Sequence, residues 1–351
     1  NFNIKLMKPI NSLFWHRRDL RLEDNAGLFK ALQSSDSVLP VFVFDQNILE
    51  QLERCDARVS FIHEEIVKIK KRYQEEGSDL LVYYGDPTEV IPKIALKFSC
   101  THVFTNRDYE PYAVARDKEV HKNLKTINIE FIGSKDHVIF EKNEVVKDNG
   151  TPYLVFTPYS KKWKTVFSQK YHRLFDSIKE LSKLHQLKDH QKLIDLNEMG
   201  FQSTKTNFPN KKVATNILKS YESHRNFPDK EGTSRMGIHL RFGTVSVRHL
   251  VNQALPLSET YLNELIWRDF YQMLIYHFPH SANNSFRKEY DLIEWEKDMD
   301  AFEQWCNGLT GYPIVDAGMR ELNQTGHMHN RVRMIVASFL TKHLLLDWRL
   351  G

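Results

Sequence analysis

The stretch Val38-Leu39-Pro40-Val41-Phe42-Val43-Phe44, closed at once by Asp45, decides the fold class. A short apolar run rich in Val and Phe, bounded by polar residues, reads as a strand. Working outward, residues 11–15 form a similar run, and LLVYYG (80–85), HVFTN (102–106) and FIG (131–133) continue the series. Helical spacing fills the gaps: Leu22 to Leu32, a charged pattern over 57–76, and a helix opened by Asp86-Pro87-Thr88-Glu89 and carried on from Ile91 to Phe98. Strands alternating with helices at this spacing predict an α/β domain with a mainly parallel, doubly wound sheet. Such sheets bind ligands at the carboxyl ends of their strands. After about residue 140 the strand pattern fades. Residues 148–160 hold Asn, Gly and two prolines, residues 161–200 are basic and helical in places, and from 212 the patterns are nearly all helical. The expected organisation is an α/β domain over 7–140, an interdomain linker over 141–211 and an all-α domain over 212–351.

The 351 residues are too many for one typical domain, and 41% hydrophobic with 27% charged residues allows a sizeable core. No run of eighteen apolar residues occurs, so no ordinary membrane-spanning helix is expected, nor is there a basic-then-apolar signal pattern at the start. Cys55, Cys100 and Cys306 are widely spaced, which excludes a disulfide scaffold and a cysteine-rich zinc site and fits a reducing cytoplasm. The net charge is +4, but residues 151–230 carry 15 Lys/Arg against 7 Asp/Glu, a local +8. A basic middle fits an anionic partner such as nucleic acid; a set of solvated helical faces explains the charge equally. Met7 is expected to open the natural chain, and the apolar helical pattern before Asp347-Trp348-Arg349-Leu350-Gly351 is expected to continue into further sequence.

Neither GxGxxG nor GxxxxGK[ST] occurs in the N-terminal region, so a glycine-loop nucleotide site is not expected there. Phe14-Trp15-His16-Arg17-Arg18-Asp19-Leu20-Arg21 sets three arginines and an acid directly after a strand, as a salt-bridged corner or a ligand-side loop. Thr233 and Ser234 precede an apolar helical stretch, where hydroxyls and free N–H groups form either an anion site or an ordinary cap. Glu264 and Arg268 are spaced i, i+4 and are expected to pair, with Trp267 beside them. Such a surface suits a flat polar ligand, or is an ion pair flanking a core aromatic. Pro313 opens another helix, and Asn330, Arg331 and Met334 fall within one turn of the last. His327 and His329 are two apart, not the four that aligns helical metal ligands, so no metal is expected. Trp267, Trp295, Trp305 and Trp348 cluster late in the chain, which core packing would also explain.

Together these stretches resemble the photolyase/cryptochrome family, specifically DNA photolyases acting on cyclobutane pyrimidine dimers. The resemblance is carried by FWHRRDLRLEDNAGL, GTSRMGIHLRFGTVSVR, YLNELIWRDFYQ, GLTGYPIVDAGMREL and MHNRVRMIVASFLTKHLLLDWR, in family order and over nearly the whole chain. It implies an antenna domain, a helical FAD-binding domain, and electron transfer from reduced FAD into a pyrimidine dimer flipped out of DNA. Carried over residue by residue, Tyr221, Thr233, Ser234, Arg235, Met236, Gly237, Arg268 and Asn330 are implied to hold FAD. Glu264, Trp267, Asn330 and Met334 are implied to meet the dimer, with Glu264 on its base edges. Arg225 and Arg331 are implied to contact phosphates of UV-damaged DNA. Trp295 and Trp348 match members of the electron-transfer chain that reduces the flavin. Asn330, where photolyases of (6-4) products carry histidine, and Met334 imply the cyclobutane class, class I in type. The resemblance further implies a cytoplasmic monomer, with no membrane and no protein partner.

Three departures stand out. His327 replaces a family tryptophan. The family continues well beyond Gly351, so this chain is expected to lack part of the flavin pocket, to bind FAD weakly and to repair poorly. Pro111 and Tyr112 replace the Asn-Glu pair of folate-binding members near Asn106, Tyr109 and Glu110, which leaves a deazaflavin, a second flavin or no antenna chromophore open. The main rival function is a cryptochrome-type photoreceptor, against which the dimer-facing residues speak; a non-catalytic DNA-binding module and an electron-transfer flavoprotein are the others.

Overall fold

The computed structural model describes residues 11–167 and 173–351; Met7, the expected start, lies outside the described residues. Two compact units divide the described chain, each discontinuous in sequence. The first comprises the residues up to Thr204 with Gly237–Gln253 and Leu265–His277, the second Lys205–Met236, Ala254–Glu264 and Phe278–Gly351.

In the first unit β1 (Asn11–His16), β2 (Ser37–Asp45), β3 (Leu81–Gly85), β4 (His102–Asn106) and β5 (Glu130–Ser134) form one sheet in the order β3-β2-β1-β4-β5. Every pairing is parallel, as the alternating pattern predicts. Successive side chains of a strand point to opposite faces. Leu13, Trp15, Leu39, Val41, Val43 and Val103 therefore enter one core, and Phe14, Phe42, Phe44, Val82 and Phe104 enter another. With helices covering both faces, β2 needs an unbroken apolar run instead of an alternating one. Pro40 lacks an N–H, yet β3 first pairs with β2 one residue later, at Val41. At Pro40 the ladder with β3 has not begun.

Of residues 161–200, expected to be helical in places, the first six belong to the helix Phe156–Val166, and the described chain over 173–204 is mostly irregular. Only two 3-10 turns form there, Leu181–Lys183 and Asn197–Met199. The segment runs along the α/β unit instead. Leu184 bridges Val38, the His185 amide donates to the Val38 carbonyl at 2.8 Å, and Leu181, Leu196, Met199 and Phe201 complete the Phe-rich core.

The loop after β1 is a salt-bridged corner. Arg17 pairs with Asp117, and Arg18 with Asp108 and Glu110. Arg21 and Arg248 share Asp136, each at 2.7 Å, and Arg248 also binds Asp24 at 2.9 Å. All four groups of that inner network are buried. Buried charges survive because each is paired and hydrogen-bonded; deleting one partner strands the others. Gly243 presses on the same corner. Its φ is +63°, and a Cβ there would lie 2.1 Å from the Arg18 carbonyl oxygen.

The helix Glu259–His277 contributes its later turns to this unit. Asp269 is buried and accepts from Trp163 Nε1 at 3.0 Å and from the Ile139 and Phe140 amides at 3.2 Å. Burial pushes its carboxyl up to about 6, against the pull of Trp163, Arg268 and the two amides.

In the second unit the helices Met299–Asn307, Pro313–Thr325 and Asn330–Lys342 enclose Trp305, Val315, Met319, Val332, Val336 and Phe339. Asp298 caps the first by accepting from the Ala301 amide at 2.9 Å, and Gly308 and Gly326 end the first two in the left-handed region. Gly318 allows the last two helices to touch: a Cβ there would lie 2.5 Å from Val332 Cγ1.

Gly243→Ala should lower stability by about 2–3 kcal/mol, from a strained φ together with the backbone clash; urea unfolding of the two proteins checks this. The Asp269 carboxyl, raised from 3.8 to about 6, contributes stability that is full below about pH 3.8 and lost as pH rises through about 6. Asp269→Asn removes the titration. Its stability relative to the wild type should therefore improve between pH 4 and 7, by an amount of order 2–3 kcal/mol, in parallel denaturation series.

Candidate active site

The expected site residues of the second unit gather around one aromatic and ionic cluster. Ser258 accepts the Tyr261 amide at 3.2 Å and starts the helix Glu259–His277. The next three residues bring Glu264 onto the face that carries Tyr261. The short helix Tyr221–His224 presents Tyr221 and, at its end, Arg225. Tyr221 is buried edge-on against Tyr261, with ring centroids 5.0 Å apart. The Arg225 guanidinium lies 5.7 Å over the Tyr221 ring, and its Nη1 donates to Glu264 Oε1. Burial and the neighbouring Glu264 carboxylate both push the Tyr221 hydroxyl well above its usual value, so it stays protonated.

The expected pairing of Glu264 with Arg268 does not form. Spacing within a helix identifies neighbours on that helix only; Arg225, 39 residues away in sequence, takes the carboxylate. Arg268 instead donates to the backbone carbonyls of His137 and Leu240, in the first unit. Burial, partly offset by Asp269, lowers its guanidinium to about 10, still charged at neutral pH.

Thr233-Ser234-Arg235-Met236-Gly237 forms the loop before the helix Gly237–Phe242. Ser234 Oγ accepts the Met236 amide at 3.4 Å and bonds the Tyr261 side chain, which joins the loop to the cluster. Arg235 has φ +51° and is exposed. Thr233 is half-buried and Met236 buried.

Asn330, Arg331 and Met334 share the first turn and a half of the last helix. His329 caps it by accepting the Arg331 amide at 3.2 Å. Met334 Sδ lies 4.0 Å from Asn330 Nδ2 and 3.8 Å from Arg331 Nη1. Arg331 Nε donates to Asn226 Oδ1 at 2.9 Å. Asn226 directly follows Arg225, so the two arginines expected at phosphates are brought together by a residue that spacing did not single out. A second unforeseen residue is Asn263. Its Oδ1 is buried with no hydrogen-bond partner among the described residues, an orphan of the kind a bound polar ligand satisfies. Beside these, burial and then the charge of Arg235 lower the half-buried His327 imidazole, which favours its neutral form.

Trp267 belongs to the first unit by its packing. Its ring stacks on Phe156 at 3.7 Å with 4° between the planes, so Phe156 covers one face. Trp295 and Trp348 flank a bridge between Glu296 and Leu346, where the Glu296 amide donates to the Leu345 carbonyl at 2.9 Å. Trp305 is buried, its Nε1 donating to the Val336 carbonyl at 3.2 Å.

A separate open cavity lies at the carboxyl ends of β1 and β2, where a doubly wound sheet places ligands; its space is about 810 Å³ with the adjoining open solvent included. Trp15 lines it between the guanidiniums of Arg17 and Arg116, at 4.8 and 5.0 Å from the ring centre. The Trp15 indole Nε1 is buried with no hydrogen-bond partner among the described residues. Asp45 accepts from the Tyr112 hydroxyl at 2.9 Å and from Arg116 at 3.1 Å. Of the three residues near which a folate antenna was considered, Asn106 is spent on the Gly27 amide, Asn25 and Asp19. Tyr109 is spent on Glu141, and only Glu110 lines the cavity.

Residues 12–179 match the DNA photolyase family, and residues 261–351 match the FAD binding domain of DNA photolyase. The deoxyribodipyrimidine photo-lyase of a Synechococcus species is 36% identical, over 97% of this chain and 75% of its own length. The archaeal photolyase of Sulfolobus tokodaii, solved with two FAD molecules, superposes with a TM-score of 0.82 at 30% identity, over 97% of this chain and 77% of that one. A Synechocystis cryptochrome superposes with a TM-score of 0.82 at 26% identity, over 98% and 78% of the two chains. With a relative above 30% identity aligned over 97% of this chain and three quarters of its own length, the chain belongs to the DNA photolyase family.

Proposed function

We propose that this protein is a light-dependent lyase that splits cyclobutane pyrimidine dimers in UV-damaged DNA, of the class I type. The observation that carries the reading is the continuous string Ser234–Tyr261–Tyr221–Arg225–Glu264, extended through Asn226 to Arg331, Asn330 and Met334. It sets flavin-, base- and phosphate-directed groups side by side. The deoxyribodipyrimidine photo-lyase name of the Synechococcus relative supports the same substrate.

The residues fit FAD. Thr233, Ser234 and Arg235 supply hydroxyls and a cation for the pyrophosphate, and the orphaned Asn263 Oδ1 accepts from an N–H of the cofactor. Tyr221, Met236, Gly237, Arg268 and Asn330 complete the set. When bound, reduced FAD supplies the photoexcited electron that the bond cleavage requires. The Glu264 carboxylate accepts from the imide N–H of a flipped pyrimidine, a charge-assisted bond. Met334, 56% exposed, gives a soft apolar contact to the dimer, and Trp267, held by ring contacts with Phe156 and Tyr271, packs against it. Arg225 and Arg331 bind phosphates. Trp295 and Trp348 carry electrons toward the flavin.

The β1–β2 cavity takes a second, antenna chromophore. Its apolar walls, the Trp15 ring and the flanking guanidiniums suit a planar, electron-rich ring system. The functional division is the antenna domain over 7–140, the linker over 141–211 and the FAD-binding domain over 212–351, in a cytoplasmic monomer.

Blue light should remove a thymine dimer from an oligonucleotide incubated with the purified protein, while darkness leaves it intact and a (6-4) product persists in both. Bound flavin with neither lesion lost would move the reading to a cryptochrome-type photoreceptor, which the Synechocystis likeness supports as the second reading. Glu264→Ala should weaken binding of dimer-bearing DNA about tenfold, the scale of losing hydrogen bonds to a charged acceptor. Arg331→Gln should lower the slope of log affinity against log salt by about 1, as one phosphate contact is lost. Titrations at several salt concentrations measure both.

A further inference from the structure

We propose that Arg225 is a positioning residue that masks Glu264 in the free protein and exchanges it for a DNA phosphate on docking, so that Glu264 selects against undamaged DNA. This rests on the photolyase reading above, in which Glu264 meets bases and Arg225 meets the backbone. The physical case begins with the pair itself. Arg225 donates to one carboxylate oxygen of Glu264, and the two side chains are 25% and 35% exposed. A pair so open to water is weak and yields readily to a competitor. A phosphate is such a competitor, because it accepts the guanidinium fork through two oxygens.

The surroundings hold Arg225 in place whichever anion it binds. Its guanidinium rests over the buried Tyr221 ring, and that ring is fixed against Tyr261. The next residue, Asn226, holds Arg331, so a second cation lies close by. During approach the paired Arg225 cancels the carboxylate charge that would otherwise repel the backbone. Once Arg225 turns to a phosphate, Glu264 stands uncompensated unless a flipped base supplies an N–H donor. A dimer-bearing strand supplies it. An intact duplex does not, and a charge left unpaired at an interface is costly.

The sign of the Glu264→Gln effect therefore depends on the DNA. The test measures dark binding of wild type, Arg225→Gln, Glu264→Gln and the double variant to an intact duplex and to the same duplex with one thymine dimer. Glu264→Gln should tighten binding of intact duplex severalfold and weaken binding of dimer duplex. In the Arg225→Gln background the gain on intact duplex should shrink markedly, because no pair is left to break. Arg225→Lys should restore most of the coupling.

An equal gain with and without Arg225 would overturn the exchange and leave only general repulsion. Weaker binding of intact duplex by Glu264→Gln would also overturn it, since the pair would then persist in the complex. Matching thermal melts and flavin absorbance of the variants secure the comparison against misfolding. If the wild type shows no preference for dimer DNA, the photolyase reading fails; the coupling on intact duplex still decides the exchange separately.

Discussion

The ion pair between Arg225 and Glu264 is the contact on which the functional surface turns. It joins a four-residue helix to the start of a nineteen-residue one. Without it, Tyr221 and Tyr261 would still pack, but the acid and the cation would have no fixed relation. With it, one carboxylate, one guanidinium and two phenol rings form one connected patch, to which Ser234 adds through Tyr261 and Arg331 through Asn226. Two opposite charges half open to water are held by modest energies and are available to a charged ligand. That is the property a surface needs if it must recognise a polyanion and, within it, a base edge.

The first unit obeys a different constraint. Its sheet is covered on both faces, so the central strands β1, β2 and β4 bury all but their first residues, and charge is confined to the strand ends. There the arginines and aspartates after β1 neutralise one another in a buried network. The cost of desolvating these groups is met only by the complete set of partners. The same chemistry leaves a cavity beside β1 and β2 that Trp15, Arg17 and Arg116 line. The corner is thus chiefly structural, and its outer arginines also border a ligand-sized space.

Much of this was legible in the sequence, because the signals were local. The Val38–Phe44 run, the helix start at Asp86 and the Pro313 helix each follow from neighbours a few residues apart, and the structure has them where spacing puts them. Partners distant in sequence were not legible. The i, i+4 rule offered Arg268 to Glu264, while folding delivered Arg225. Asn226 and Asn263 carried no signal of their own, since an asparagine matters only once its neighbours are known. The packing of residues 173–204 was not legible for a related reason: Leu181, Leu184, Leu196, Met199 and Phe201 follow no period because they pack on a core built elsewhere. Motifs in family order supplied what periodicity could not, namely that scattered polar residues belong to one site.

The most direct measurement is the structure of the protein bound to a duplex carrying one thymine dimer. The account predicts the dimer out of the stack, with the Glu264 carboxylate within hydrogen-bond distance of its base edge, Arg225 on a backbone phosphate, and Arg331 on a neighbouring one. A dimer that stays stacked in the duplex, or a bound lesion with Arg225 still on Glu264, would contradict it.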